Sequence, residues 1–379
     1  MARELSSDPP SSLNPLCFSG TAMHPQVLLA VKLMLVVLLS GGLWRPLDGS
    51  AATLFADTPT WLRAFATLGW LHTLLVVTAA TALLLNRFVR TAAVVLGLLT
   101  LGALATDVAR FSPHLALGGI LSVAAGLQPE GGRPWLVRTI TSFSLLLISA
   151  ALALTPGWLG GGVAGSWIHL GVAHVAAAGA ASLFGDPFWT LFAWLLPTGG
   201  FAVAVALLVP GTRTAAAIVL AGGSLFTSFT IALPQAHALA ITVGVAALTF
   251  IDWPKGPVVV LWPRACGVPM WVRIALDRYD FDGRLDWPLP PDPDAILEVT
   301  LERRHYVESR ALAALLLRFP VFLVVAFATA WCSHVLLPVQ VAPLAYVLAA
   351  APLLTLVAMR RLKHAGRRIQ RRVVGQGRT

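Results

Sequence analysis

Long apolar runs separated by short polar breaks fill most of the chain from residue 26 onward. A membrane-crossing helix needs about 20 mostly apolar residues. Runs of that kind fall at roughly 26–44, 65–86, 91–108, 114–128, 138–155, 187–210, 213–233, 235–252, 319–337 and 341–359. The stretch from Thr139 to Trp167 shows the pattern most sharply, because an apolar helix runs into Thr155-Pro156-Gly157-Trp158 and then a glycine-rich break. The following segment, 166–184, is Ala/Gly-rich and carries His169 and His174. It reads either as an eleventh span or as an interfacial or re-entrant piece buried among the others.

Between 253 and 318 the pattern changes. Pro257–Trp262 predicts a buried strand, Met270–Asp280 a short amphipathic helix, Arg284–Leu289 a second strand and Ala295–Glu302 an alternating third. Arg303–Arg318 predicts a strand end followed by a helix with Ser309 as its cap. The expected fold is therefore mainly α, a polytopic helical membrane protein of about ten spans with a small α/β insertion. Five parts are expected: a leader (1–25), a transmembrane bundle (26–254), the module (255–318), a transmembrane hairpin (319–359) and a basic tail (360–379).

Composition agrees with the bilayer as solvent. The chain is 57% hydrophobic and 12% charged, with a mean hydropathy of +0.78, against about 25% charged residues in soluble domains. The formal charge of +10 points to cytoplasmic loops and anionic lipid rather than nucleic acid, given where the basic residues fall. Arg87, Arg90, Arg133, Arg138, Arg213, Lys255 and Arg264 share the side of the N-terminus if 166–184 does not cross. The cluster from Arg360 to Arg378 joins them as an anionic-lipid anchor directly after a span. Ten spans with both termini cytoplasmic, in an inner (plasma) membrane, satisfy this bias, with Arg45, Arg63 and Arg110 as exceptions on the far side. The polar, Ser/Pro-rich leader shows no cleavable signal pattern. Cys17, Cys266 and Cys332 lie far apart, so no CxxC or CxxH pair encodes a metal or dithiol centre.

Candidate chemistry is sparse. Asp107 and Arg110, three residues apart, end the third span, and His114 opens the fourth. Ionisable groups at membrane depth invite a functional reading, whereas at a helix end the same pair serves as an interfacial anchor. His169 and His174 stand about 140° apart on a helix, poorly placed to share one metal. His72, His237 and His334 read as inter-helix hydrogen-bonding groups. Lys32 reaches the cytoplasmic surface by snorkelling, and Asp186 before Pro187 reads as a helix cap. Trp44, Trp61, Trp135, Trp158, Trp167, Trp189 and Trp253 sit near helix ends, where an aromatic belt belongs.

The helix Leu146 to Trp158 is similar to the "YxxAGLxKLxxxW" helix of the HTTM family, bacterial relatives of the vitamin K-dependent gamma-carboxylase. Ser224-Leu225-Phe226-Thr227 through Ile251-Asp252-Trp253-Pro254 resembles that family's "LFHxxIAL…LLFLDWP" closing pair, and Ser112 to Gly131 matches in pattern. The resemblance covers about 26–254 and implies a quinone or lipid cavity. It also implies a base on a lysine, where this chain has Leu152 and Ala153, and a histidine, where it has Thr227. Deprotonating a hydroquinone requires a titratable group, which these residues lack. Residues 257–318 resemble the DCC thiol-disulfide oxidoreductases, which are thioredoxin-like. Their two cysteine positions fall on Ala265 and Val268 and their acidic pair on Trp262 and Arg264, with Cys266 one place off. Dithiol exchange needs two thiols in reach.

The expected function is thus a non-catalytic structural or partner-binding subunit that retains a lipid or quinone cavity, with the module as a docking surface. The alternative is a membrane oxidoreductase or lipid-modifying enzyme using Asp107, Arg110, His114, His169 and His174. Convergence of those side chains on one cavity would favour the enzyme.

Overall fold

The computed structural model describes residues 21–48, 52–55, 57–129, 134–163, 182–183, 185–230, 234–251, 257–262, 270–278, 284–288, 296–301, 304–318, 327 and 331. These residues are mainly helical, with one small mixed sheet, and the chain divides into two compact units.

The first unit holds nine α-helices among the described residues: α1 (Pro25–Ser40), α2 (Thr60–Thr67), α3 (Gly69–Leu84), α4 (Val89–Thr106), α5 (Pro113–Leu127), α6 (Trp135–Leu154), α7 (Asp186–Leu208), α8 (Arg213–Thr230) and α9 (Pro234–Ala247). Proline opens α1, α5 and α7, where its missing N–H costs nothing and its fixed φ starts the helix. The cap of α7 is Gly185, so Asp186 falls one residue inside the helix instead of capping it.

Ten spans were expected, and the described helices contain three that are long and apolar enough to cross a membrane: Val89–Thr106, Trp135–Leu154 and Trp189–Leu208. A fourth arises if α2 and α3, bent by 85° at Leu68, form one broken span. Two of the remaining predicted spans, 319–337 and 341–359, and the segment 166–184 lie outside the described residues apart from Ser182, Leu183, Phe327 and Trp331. Of the others, 213–233 corresponds to the 18-residue α8, and 26–44, 114–128 and 235–252 to shorter helices. At 16, 15 and 14 residues, α1, α5 and α9 rise about 24 Å or less, short of a hydrocarbon core of about 30 Å. Hydropathy along a chain reports apolar content; it is silent about where the helix stops.

The short helices pack against one another. α1, α5 and α9 touch mutually, α3 and α4 flank them on one side, and α6, α7 and α8 form a connected layer. Small residues let α4 and α5 approach closely, as membrane helices do where apolar surface alone gives no drive to associate. A Cβ on Gly97 would stand 2.6 Å from the Gly119 carbonyl oxygen, and one on Gly126 would stand 2.5 Å from that of Arg90. Lys32 donates to the Leu84 carbonyl at the C-terminal end of α3 (3.3 Å), the helix end that favours a cation.

The break after α6 is built around Trp158. Gly161, at φ +84°, lays its turn against the backbone of Trp189 and Thr190, leaving no room for a side chain. Trp158 was expected in the aromatic belt with Trp44, Trp61 and Trp135, which are exposed; it is instead buried. Its indole Nε1–H donates to the Ala193 carbonyl at 2.9 Å. The reason lies in Pro197 within α7: a proline four residues on has no N–H to give that carbonyl, and the indole takes its place.

The second unit contains β1 (Val258–Leu261), α10 (Met270–Arg278), β2 (Leu285–Asp286), β3 (Glu298–Leu301), β4 (Arg304–Val307) and α11 (Glu308–Arg318). The sheet order is β2-β1-β3-β4; β1 and β2 are parallel, whereas β1–β3 and β3–β4 are antiparallel. Val258 pairs with Leu301 and Val260 with Val299. The inward residues of β1 and β3 meet Val272 and Leu276 of α10 and Ala311, Leu312 and Leu315 of α11 in one core. α11 opens at Glu308, so Ser309 lies in its first turn and not at its cap.

Candidate functional site

The corner between α4 and α5 is where the first unit concentrates polar groups. α4 stops at Thr106 because Asp107 turns extended (φ −139°, ψ 99°), and its Oδ1 accepts from the Ala109 N–H at 3.0 Å to cap a single 3-10 turn, Val108–Arg110. A short carboxylate at that position satisfies a donor that no preceding carbonyl reaches. Oδ2 of the same carboxylate accepts from Arg110 Nε at 2.8 Å. Its other two nitrogens each donate as well: Nη1 to the Arg45 carbonyl at 3.0 Å and Nη2 to that of Pro46. Arg110 therefore ties the corner to the loop that leaves α1. Two backbone bonds, Val108 N–H to Ala52 and Leu54 N–H to Ala105, fasten the same loop.

His114 begins α5 two residues beyond Ser112, whose hydroxyl is hydrogen-bonded to its Nδ1. Both are buried. The ring edge rests against Gly41, where an added Cβ would stand 3.2 Å from Nε2. His72, from α3, is fully buried at the same end of the bundle, edge-on to Phe65 of α2 with centroids 6.4 Å apart. Neither ring nitrogen of His72 has a hydrogen-bond partner among the described residues.

Asp107, Arg110 and His114 thus come to one corner, joined by His72, which shares no sequence spacing with them. Their polar atoms serve caps, carbonyls and a neighbouring hydroxyl. His169 and His174 lie outside the described residues. Among the described residues no group of three His, Cys, Asp or Glu could hold a metal ion.

Two further polar side chains, Arg138 and Gln26, meet where α9 ends. Arg138 is buried, donating Nε to the Thr249 carbonyl at 2.7 Å and lying 5.8 Å over the Phe250 ring. Gln26 donates to the Ile251 carbonyl. Both satisfy carbonyls left over where α9 ends in the 3-10 turn Leu248–Phe250. His237 bonds the Ser228 carbonyl through Nδ1 at 2.9 Å and faces the Trp331 ring.

Space for a small molecule is unevenly distributed. Between α1, α5, α6 and α9, lined by Met34, Leu121, Ser122, Val137 and Ala246, the gap is about 10 Å³, room for about one water. A much larger open cavity, about 620 Å³, borders the α3–α4 turn and is lined by Thr21, Asn86, Phe88, Arg90, Thr91 and Gly126 among others. That volume falls within the range of ligand sites. Leu152 packs against Trp158. Ala265, Cys266 and Val268 lie outside the described residues.

No family model, no characterised protein and no solved structure matches the chain.

Proposed function

We propose that this protein is a membrane-embedded, non-catalytic scaffold: a polytopic subunit of the inner (plasma) membrane, with both termini cytoplasmic, that holds a protein partner through residues 255–318. The observation that carries the reading is the use of the ionisable corner. Asp107 and Arg110 spend their hydrogen bonds on one another, on one cap and on two loop carbonyls, the pattern of a structural clamp. A general acid or base must reach a proton on a substrate, whereas here both carboxylate oxygens are already engaged in the fold, one at the cap and one on Arg110. The HTTM likeness of 26–254 fits such a subunit, since Leu152 and Ala153, neither of them titratable, stand where that family's pattern has its lysine. The DCC-like, thioredoxin-like reading of the second unit is supported by its parallel β1–α10–β2 unit followed by an antiparallel β3–β4 pair and a helix. A bound lipid or quinone, in this reading, sits at the bundle rim beside Arg90 and Phe88 rather than in the closed interior.

Asp107→Asn tests the clamp, since it keeps the shape and the cap while removing the charge. The expected result is a lower melting temperature with unchanged content of co-purifying partner and lipid. Unchanged stability together with accumulation of a bound small molecule would point to a stalled enzyme instead.

A further inference from the structure

We infer that α2 is an in-plane membrane helix, lying along the lipid headgroup boundary at the end of the bundle that carries Asp107 and Arg110. The inference rests on the first unit being embedded in a bilayer, and goes beyond the scaffold reading by giving α2 its own binding surface and lipid as its partner.

Geometry comes first. α2 meets α3 at 85°, so if α3 runs across the membrane, α2 runs along it. Its residues then sort into three sectors at 100° per residue. Leu62, Phe65 and Ala66 turn toward the bundle and are half-buried or buried. The remaining surface is exposed and divides again: Trp61 and Ala64 form an apolar strip, with exposed Leu68 following at the bend, and Thr60, Arg63 and Thr67 form a polar one. The polar strip repeats at i, i+3 and i+7, and the apolar pair stands at i and i+3. A helix exposed to water alone has no use for an apolar strip outside its packing face. An interfacial helix needs both, one toward the acyl chains and one toward water.

The neighbouring exposed side chains agree. Trp61 is 70% exposed, Trp70 65% and Phe55 62%, and all three lie on or beside α2 in the chain. Phe111 and Trp44, next to the Arg110 clamp, are exposed as well. Large aromatic rings beside an arginine are the composition of the membrane–water boundary. Continuity supports lipid over a protein partner, because α3 leaves this patch with Leu74 and Val77 exposed along its length, as a lipid-facing helix does.

The experiment uses the full chain in nanodiscs whose phospholipids carry bromine either close to the headgroup or near the chain ends. Tryptophan emission is compared between the native protein and Trp61→Phe, Trp70→Phe and Trp194→Phe. The emission that disappears with Trp61 and Trp70 should be quenched about twofold more strongly by shallow bromine than by deep bromine, matching the shallow seat of an interfacial helix, about 5–10 Å. Trp194, half exposed in mid-α7, reports on embedding itself and should respond to deep bromine. Quenching of Trp61 and Trp70 by aqueous iodide alone overturns the inference, as does protection from both quenchers, which would indicate a protein cover. If Trp194 also fails to respond, the embedding of the bundle fails with it. A second pair of variants guards against misfolding: with the native cysteines changed to Ser, a polarity-sensitive dye on Ala64→Cys should emit to the blue of the same dye on Thr67→Cys. Equal emission from the two positions would contradict the two-strip arrangement.

Discussion

The indole of Trp158 does the work of a backbone N–H. Pro197 leaves the Ala193 carbonyl without a helical donor, and Trp158 supplies one at 2.9 Å from the turn after α6. Trp158→Phe should therefore cost about 1–3 kcal/mol, the range for stranding a buried acceptor, measured by unfolding in micelles. In a Pro197→Ala background, which restores the helical N–H, the same change should cost clearly less, leaving only the packing loss. Equal costs in both backgrounds would show that the two residues are not coupled. Arg110 makes a second residue-scale case. Its planar fork serves a carboxylate and two carbonyls at once, which a single ammonium cannot reproduce. Arg110→Lys should thus destabilise nearly as much as Arg110→Ala; full recovery by Lys would mean that charge alone matters.

At the scale of elements, the α4–α5 pair depends on missing side chains. Gly97→Ala and Gly126→Ala would each press a Cβ onto backbone 2.6 Å and 2.5 Å away. Each should destabilise by about 1–3 kcal/mol, since overpacked backbone yields little. Gly102, on the same helix, is the control: the nearest atom to an added Cβ is 3.7 Å off. Gly102→Ala should be neutral or stabilising by up to about 1 kcal/mol, from helix propensity. Thermal melts of the three variants decide it, and a uniform effect would refute close packing at this seam.

Element by element, what could be read from the sequence follows from the range of the forces involved. The α/β unit was legible because alternation and turn residues are local: Val299 and Leu301 point inward from β3 as their spacing requires. The Asp107–Arg110 pair was legible for the same reason, being i, i+3. The sharp bend at Leu68 was not, because hydropathy sums the apolar residues of 60–84 without regard to direction. The short lengths of α1, α5 and α9 were hidden likewise. Trp158 was misplaced in the belt because its partner carbonyl is created by a proline on another helix, and His72 joined the corner only through the packing of α3 on α4.

The molecule as a whole is proposed to act as a membrane-embedded scaffold that holds a protein partner. Native mass spectrometry with lipid extraction on gently solubilised protein tests it most directly, reporting bound proteins and lipophilic small molecules together. A scaffold should carry a stoichiometric protein partner, whose retention is unaffected by Asp107→Asn, and no small molecule that depends on the α4–α5 corner. A retained quinone or lipid that is lost on His114→Ala, or on His169→Ala with His174→Ala, would contradict it and establish a working site in its place.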